Sequence, residues 1–291
     1  MWQSLLLHCF FLFYTGGIFV YNETTNINFE KKGEGMAASI IEIKKKLEQY
    51  SMEEIENAMK PYEIDNRKGV QNLLVSFQKK YERHCKEQER LEELLFFERQ
   101  CYEKGYTLVA GIDEVGRGPL AGPVVTSAVI LPLNCKIEGV NDSKKLSAKK
   151  REELFEVICE KAVDYAFGVV SPARIDEINI LQATYEAMGL AIHKLKRQPD
   201  FVLADAVTIP RIGMPQKGII KGDAKSMSIA AASILAKVTR DRMMEEFHEI
   251  YPEYAFAGNK GYGSAEHIAA IREHGICPIH RHSFVKNFVK A

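Results

Sequence analysis

Apolar side chains recur along the chain in two rhythms, and one gives way to the other near residue 105. Val70, Leu73, Leu74, Phe77 and Tyr81 follow i, i+3, i+4, i+7, i+11 spacing. That spacing predicts one face of an amphipathic helix, extended by Leu91, Leu94 and Leu95. Ahead of it, Ser39-x-x-Glu42 and Ser51-x-x-Glu54 have the form of capping boxes opening two short helices, the second stopped by Pro61. Residues 36–104 thus read as a helical N-terminal extension whose apolar stripe packs on itself, with Arg67-Lys68-Gly69 at a helix start as its best candidate for a nucleic-acid contact.

From Tyr106 the pattern shortens. Leu108–Ile112 is an apolar run leading into Asp113 and Glu114, and Val124–Leu131 is a second β-rich run. Gly116, Gly118, Pro119, Gly122 and Pro123 make the segment between them a turn. Ser147 caps a helix to about Ala162, and Tyr165–Val170 is a third strand. A helix over Ile180–Lys196 precedes a fourth strand, Phe201–Asp205. Ser226–Glu249 is a long helix with Ile229, Ala232, Ser233, Leu235 and Ala236 inward, and residues 265–273 form another. Strands come first as hairpins and then alternate with helices, so residues 105–291 predict an α/β domain with a mixed sheet, helices on its faces and a C-terminal helical portion.

Residues 2–21 are nearly all apolar, and the first charged side chain is Glu23. The run is long enough to span a bilayer, but no Lys or Arg precedes it and no small-x-small site follows it, so it fits a signal peptide poorly. Lys31–Met36 can be encoded by AAA-AAA-GGA-GAA-GGN-ATG, which contains the ribosome-binding string AAGGAG just ahead of an ATG. The expectation is that translation starts at Met36 and that residues 1–35 are an upstream-start artefact; the alternative is an apolar N-terminal anchor.

Composition changes this picture little. With 46% apolar and 27% charged residues in 291, the chain is ordinary for a globular protein, and collagen-like or wholly disordered classes are excluded. Lys and Arg total 39, as do Asp and Glu, so no global basic field draws in a polyanion, and any nucleic acid must be held by local patches. Cys9, Cys85, Cys101, Cys135, Cys159 and Cys277 form no C-x-x-C pair, which argues against a zinc site and for free thiols in a reducing, cytoplasmic setting.

Four acids carry the candidate chemistry. Asp113 and Glu114 end one strand, Asp205 ends another, and Asp223 stands just ahead of a helix. Ligands of open α/β sheets gather outside strand ends, so neighbouring first and fourth strands would bring Asp113 and Asp205 together there. Clustered carboxylates repel one another unless a cation is present. A hard cation such as Mg²⁺ takes carboxylate and phosphate oxygens, and a pair of such ions suits phosphodiester hydrolysis. Taken singly, Asp223 is equally readable as a helix N-cap, and Asp113 and Asp205 as solvated strand-end acids.

Gly111-Ile112-Asp113-Glu114-Val115-Gly116-Arg117-Gly118-Pro119-Leu120-Ala121-Gly122-Pro123 resembles the opening signature of bacterial ribonuclease HII. Asp142–Leu146, Lys221–Ser226, Ala231–Asp241, Gly261–Ser264 and His280–Phe284 resemble its later motifs, in the family's order over about 105–288. Residues 36–104 are similar to the N-terminal segment of the Firmicutes type, whereas 1–35 match nothing in the family. A rival, ribonuclease HIII, carries a sheet-containing N-terminal domain, which the helical pattern here argues against. A second rival, a catalytically dead binding module, would lack one of the four acids.

The resemblance implies a ribonuclease H-like fold, a five-stranded mixed sheet flanked by helices. It implies cleavage of RNA in RNA–DNA hybrids and on the 5′ side of single ribonucleotides in duplex DNA, leaving 3′-hydroxyl and 5′-phosphate ends. Asp113, Glu114, Asp205 and Asp223 fall on the family's metal-binding acids, for two Mn²⁺ or Mg²⁺ ions. Gly116, Arg117 and Gly118 fall on its ribonucleotide-reading loop, and Tyr262 on its junction-sensing tyrosine. The expected partners are RNA–DNA hybrid and ribonucleotide-containing duplex DNA, bound by a monomer with no obligate protein partner. The chemistry fits these roles. Only the 2′-hydroxyl marks a ribonucleotide, glycines let backbone approach it, and Arg117 can grip a phosphate with two bonds. Lys144 and Lys145, with Lys149, Lys150 and Arg151, make a local basic patch. A plain tight turn, a loop aromatic and a solvated helix start are the corresponding structural alternatives. His267, His274, His280 and His282 show no acid–base pairing and read as structural or phosphate-contacting.

Overall fold

A computed structural model of the chain describes residues 38–289. The apolar run 2–21 and the reading of Met36 as the start lie outside the described residues. The N-terminal extension is helical throughout its described part: α1 (Ile40–Leu47), α2 (Ile55–Met59), α3 (Lys68–Leu94) and α4 (Phe96–Glu103). Ser39 forms the full capping box, its Oγ accepting from the Glu42 N–H at 3.2 Å while the Glu42 carboxylate accepts from the Ser39 N–H at 2.7 Å. The second box is incomplete. The Glu54 carboxylate accepts from Ser51, but the Glu54 N–H donates to the Ser51 carbonyl at 3.2 Å, making a turn, and α2 opens only at Ile55. Ile43, Leu47, Ile55, Val70, Leu74 and Phe77 close a small core of their own. At its far end α3 buries Leu91 and Leu94 against β2 and the helices of the main domain, so this one helix joins both cores.

The main domain runs β1 (Val109–Val115), β2 (Val124–Ile130), α5 (Ala148–Lys161), β3 (Asp164–Val170), α6 (Pro172–Lys194), β4 (Phe201–Asp205), β5 (Gln216–Ile219) and α7 (Met227–Ile250). The sheet order is β3-β2-β1-β4-β5. β2 is antiparallel to both β1 and β3, whereas β4 is parallel to β1 and β5 is parallel to β4. β2 is buried along its whole length, as a central strand covered on both faces must be. Met188, Ala191 and Ile192 of α6 pack on one face against Ala110, Ile112 and Ala128. α5 and α7 cover the other, with Ile234 and Leu235 beside Val129, Leu154 and Ile158. Burying one such side chain stabilises the fold by roughly 1.5–3 kcal/mol.

Two further elements differ from the sequence expectation. β5 was not legible, because Gln-Lys-Gly-Ile is a short, largely solvated edge strand with no alternating pattern. The helix expected from Ile180 begins eight residues earlier, at Pro172, and breaks at Asn179, whose φ is 67°. There the Asn179 Oδ1 accepts from the N–H groups of Leu181 (3.0 Å) and Gln182 (3.1 Å), capping the segment that the periodicity predicted. The C-terminal portion, α8 (Phe256–Asn259), α9 (Ala265–His274) and α10 (His282–Val285), packs around Tyr254, Phe256 and Ile271 beside the β1–β2 turn.

Candidate active site

The parallel register places Ile112 beside Ala204, so Asp113 and Asp205, the next residue on each strand, come to the same sheet end. Asp113 shares the face of Gly111, two residues before it. On that face α7 lies directly on the strand: a Cβ at Gly111 would stand 2.1 Å from the Ser228 carbonyl carbon and 2.4 Å from the Ile229 nitrogen. This close approach lays the segment preceding α7 over the strand end. Lys221 turns the chain through φ 59° into a 3₁₀ turn, Gly222–Ala224, which carries Asp223. The Gly222 N–H donates to Asp205 Oδ1 at 2.7 Å, tying that turn to β4. The cap of α7 is Ser226, whose Oγ accepts from the Ile229 N–H at 3.3 Å. Asp223 therefore does not cap the helix.

The four acids form an anionic neighbourhood that Arg117 and Lys144 offset only in part. Asp113 is buried, its Oδ1 accepting from the Glu114 N–H at 2.8 Å. Burial, then repulsion from Glu114 and Asp205, hold its carboxyl well above the ordinary range, with the Ser233 hydroxyl opposing. Burial also raises Glu114; Arg117, whose Nη1 is 3.3 Å from Glu114 Oε1, opposes this, and Asp205 adds to it. Glu114 Oε2 is buried with no hydrogen-bond partner. Asp223 is raised by burial, then by Asp142 and Asp205, with Lys144 opposing. Among the described residues no group of three or more acidic, histidine or cysteine side chains stands placed to hold a metal ion by itself. The set is an open one, and ligands from elsewhere would have to complete it.

The β1–β2 turn stands beside these acids. Gly116 has φ 91°, a left-handed conformation that a side chain would strain, and a Cβ there would meet Arg240 at 2.3 Å. Arg117 is exposed. Tyr262 is 45% exposed, and its ring edge lies 3.8 Å from the position of a Cβ on Gly118, so turn and tyrosine adjoin. Lys144 and Lys145 are exposed in a 3₁₀ turn, Ser143–Lys145, anchored to α7 by the Ser143–Ser233 hydroxyl contact of 2.9 Å. The wider basic patch divides. Arg151 donates to the carbonyls of Ser143 (3.1 Å) and Leu146 (2.6 Å) and so supports that turn from beneath, while Lys150 lies 3.4 Å from Glu153. His267 and His280 are buried, whereas His274 and His282 are exposed. Ser264 caps α9, accepting from the His267 N–H at 3.2 Å. The five described cysteines are free thiols.

Two contributors escaped the sequence reading. Asp142 joins the acids by acting on Asp223. Glu98, buried in α4, accepts from Ser226 Oγ (2.6 Å), the Ser228 N–H (2.9 Å) and Ser228 Oγ (2.6 Å). It thereby ties the N-terminal helices to the start of α7, next to the turn that carries Asp223. A glutamate on a helix carries no sequence signal for such a role.

A five-stranded mixed sheet in the order β3-β2-β1-β4-β5 with helices on both faces is a ribonuclease H-like fold. Solved relatives share the fold. Ribonuclease H2 from Pyrococcus horikoshii OT3 superposes with a TM-score of 0.53 at 31% identity, over 62% of this chain and 97% of that one. The ribonuclease HII of Archaeoglobus fulgidus, in a complex with PCNA, gives 0.53 at 30% identity over 63% and 97%. The family description "Ribonuclease HII" matches residues 110–287, and "Ribonuclease HII N-terminal domain" matches 39–102. Ribonuclease HII of Clostridioides difficile is 55% identical over 251 residues, 86% of this chain and 98% of that protein. That of Desulfitobacterium hafniense is 53% identical over 246 residues, 84% and 95%. The chain belongs to the ribonuclease HII family.

Proposed function

We propose that this ribonuclease cleaves the RNA strand of RNA–DNA hybrids and cuts on the 5′ side of a single ribonucleotide embedded in duplex DNA, leaving 3′-hydroxyl and 5′-phosphate ends. The observation that carries this reading is the convergence of Asp113, Glu114, Asp205 and Asp223 on one sheet end, beside a glycine-rich turn and an exposed tyrosine. The donor set fits hard divalent cations. All four side chains offer oxygens, three are pushed toward neutrality by burial and mutual repulsion, and Glu114 Oε2 is buried without a partner. Asp113, Glu114, Asp205 and Asp223 would hold two Mg²⁺ or Mn²⁺ ions, with phosphate oxygens of the substrate completing the open side. Such ions, when bound, supply an activated water and charge stabilisation at the leaving oxygen.

The protein's own residues select and hold the strand. Backbone groups of Gly116 and Gly118 approach the 2′-hydroxyl with no Cβ between. That hydroxyl is read and is not the nucleophile, in keeping with products that retain it free. Arg117 turns from Glu114 to a phosphate, Tyr262 stacks on the sugar beyond Gly118, and Lys144 and Lys145 meet further phosphates. We assign the chemistry to residues 105–291, with 36–104 as a helical extension and 1–35 outside the catalytic unit. The enzyme acts as a cytoplasmic monomer, and hybrid or ribonucleotide-containing duplexes are its partners. No helix among the described residues is long and apolar enough to cross a membrane.

The test is cleavage of a labelled DNA duplex containing one ribonucleotide by the purified chain with Mg²⁺ or Mn²⁺. A cut 5′ to the ribonucleotide, lost with EDTA and in Asp113→Asn, is expected. Cleavage of a long hybrid alone, or of neither substrate, would overturn the reading.

A further inference from the structure

Arg240 and Arg281 are completely buried, and among the described residues neither meets a carboxylate at ion-pair distance. Every hydrogen bond from their guanidinium groups goes to a main-chain carbonyl. Arg281 donates from Nη1 to Arg117 O (2.9 Å), from Nη2 to Gly116 O, and from Nε (3.0 Å) and Nη2 (2.8 Å) to Gly122 O. Arg240 donates to Pro123 O (3.0 Å), Ala121 O (3.0 Å) and, across the gap to the next loop, Lys260 O (2.9 Å). A buried cation pays heavily in lost hydration, which its hydrogen bonds to these carbonyls offset. What the guanidinium offers is a rigid planar fork that fixes several acceptors relative to one another. Here the acceptors belong to the turn that would read the ribonucleotide.

The tyrosine loop is fastened to the same block. The Leu120 N–H donates to Gly261 O (2.8 Å), the Gly122 N–H to Ile279 O (2.8 Å), and the Arg281 N–H to Leu120 O (2.9 Å). A relay of side chains then runs back to Tyr262. His267 Nδ1 is 2.8 Å from Tyr262 O, the Nε2 atoms of His267 and His280 are 3.0 Å apart, and the Cys277 N–H donates to His280 Nδ1 at 2.9 Å. The proton positions follow. A carbonyl only accepts, so His267 Nδ1 carries a hydrogen. Cys277 Sγ (3.1 Å) and Cys277 O (3.3 Å) also lie beside His280 Nδ1; a backbone N–H only donates, so the shortest contact, from the Cys277 N–H, leaves His280 Nδ1 bare. Both rings are therefore neutral, and His280 Nε2–H donates to His267 Nε2. This arrangement satisfies the three shortest contacts and leaves the longer one to Cys277 O unmade, and burial favours the neutral rings.

We propose that Arg281 and the His280–His267 pair, with Arg240, are positioning residues that set the spacing between the Gly116–Gly118 turn and the Tyr262 ring, and hence the enzyme's ability to recognise a single ribonucleotide. This rests on the functional reading above. A lone ribonucleotide offers one 2′-hydroxyl in one register, so turn and ring must be correctly spaced at the same time. A continuous RNA strand offers a 2′-hydroxyl at every step, and a displaced turn can engage another one. A misplacement of about 1 Å costs on the order of 10²-fold in rate where geometry is demanding.

The experiment compares kcat/KM on two substrates, a DNA duplex with one ribonucleotide and a hybrid with a continuous RNA strand. The full chain is used with saturating Mg²⁺, at a temperature where circular dichroism shows each variant folded. Arg281→Lys and His280→Ala should lose about 10²-fold on the single ribonucleotide, and at least about tenfold less on the hybrid. His280→Gln should recover most of the loss, because its amide N–H still donates to His267 Nε2. Equal losses on both substrates, or no difference between His280→Gln and His280→Ala, would overturn the proposal and leave these residues a purely structural role. If Arg281→Lys does not fold, the two His280 variants decide. A parent enzyme inactive on both substrates overturns the functional reading itself, and this proposal with it; a parent active on both, with variants that keep its ratio, overturns this proposal alone.

Discussion

Gly111→Ala tests whether the contact of α7 with β1 builds the site. The added Cβ would lie 2.1 Å from the Ser228 carbonyl carbon, 2.4 Å from its oxygen and 2.4 Å from the Ile229 nitrogen. Carbon atoms pack best at about 3.5–4.0 Å, so the deficit exceeds about 1 Å. The obstacle is helix backbone, which cannot rotate aside as a side chain does. α7 must lift, yet Ile229, Ala232 and Leu235 are wholly buried beneath it. A radial gap of about 0.5–1 Å forfeits a quarter to a half of each contact along that face. The expected cost is at the upper end of the overpacking range, about 3 kcal/mol, which lowers Tm by about 6–12 °C for a domain of this size. Asp223 moves with α7, so activity measured well below Tm should fall about 10²-fold as well. Calorimetry and the single-ribonucleotide assay read the two effects. Gly189→Ala is the control: no atom lies within 4 Å of its Cβ, and the same change there should stabilise by about 0.4–1 kcal/mol. A Gly111→Ala protein that melts within about 2 °C of the parent and cleaves normally would refute the reasoning.

Other expectations follow from the same geometry. Asp113→Asn removes a buried carboxyl whose pKa is raised by burial and by Glu114, so in EDTA the variant should melt above the parent, while Mg²⁺ should stabilise the parent more; a lower Tm in EDTA would contradict the repulsion argument. Glu98→Ala strips three short donors of their acceptor and should cost about 2–3 kcal/mol, read as a lower urea midpoint at unchanged slope, with Glu98→Gln intermediate. Burial, then His267, depresses His280 to about 4, below an unfolded value near 6.5, so its contribution is complete above pH 6.5 and is lost as pH falls toward 4. Over that window the parent should lose stability faster than His280→Gln by up to about 1.4 kcal/mol per pH unit, and parallel curves would remove His280 from the linkage.

How much of this was legible depends on how local the cause is. Ser39 and Ser147 cap the helices they were expected to open, because a cap is decided within one turn of chain; before α7 the cap is Ser226 and not Asp223. β1, β2 and β4 were legible because buried strands need unbroken apolar runs, and β3, an edge strand with alternate residues buried, through its aromatic and β-branched residues. β5 was not, since Gln216–Ile219 becomes a strand by pairing with β4, not through any pattern of its own. The acids could be named from their places at strand ends, but their mutual repulsion depends on a parallel register that no single segment encodes. The positioning residues lie furthest from view. Arg281 follows His280 in a loop and looks like a solvent-facing cation, yet it is wholly buried and bonds to carbonyls 159 to 165 residues away in sequence. Burial of an arginine without a carboxylate is visible only once the fold has brought several orphan carbonyls to one point. Such a residue also sets geometry: one rigid planar fork satisfies several carbonyls at once and so fixes their spacing.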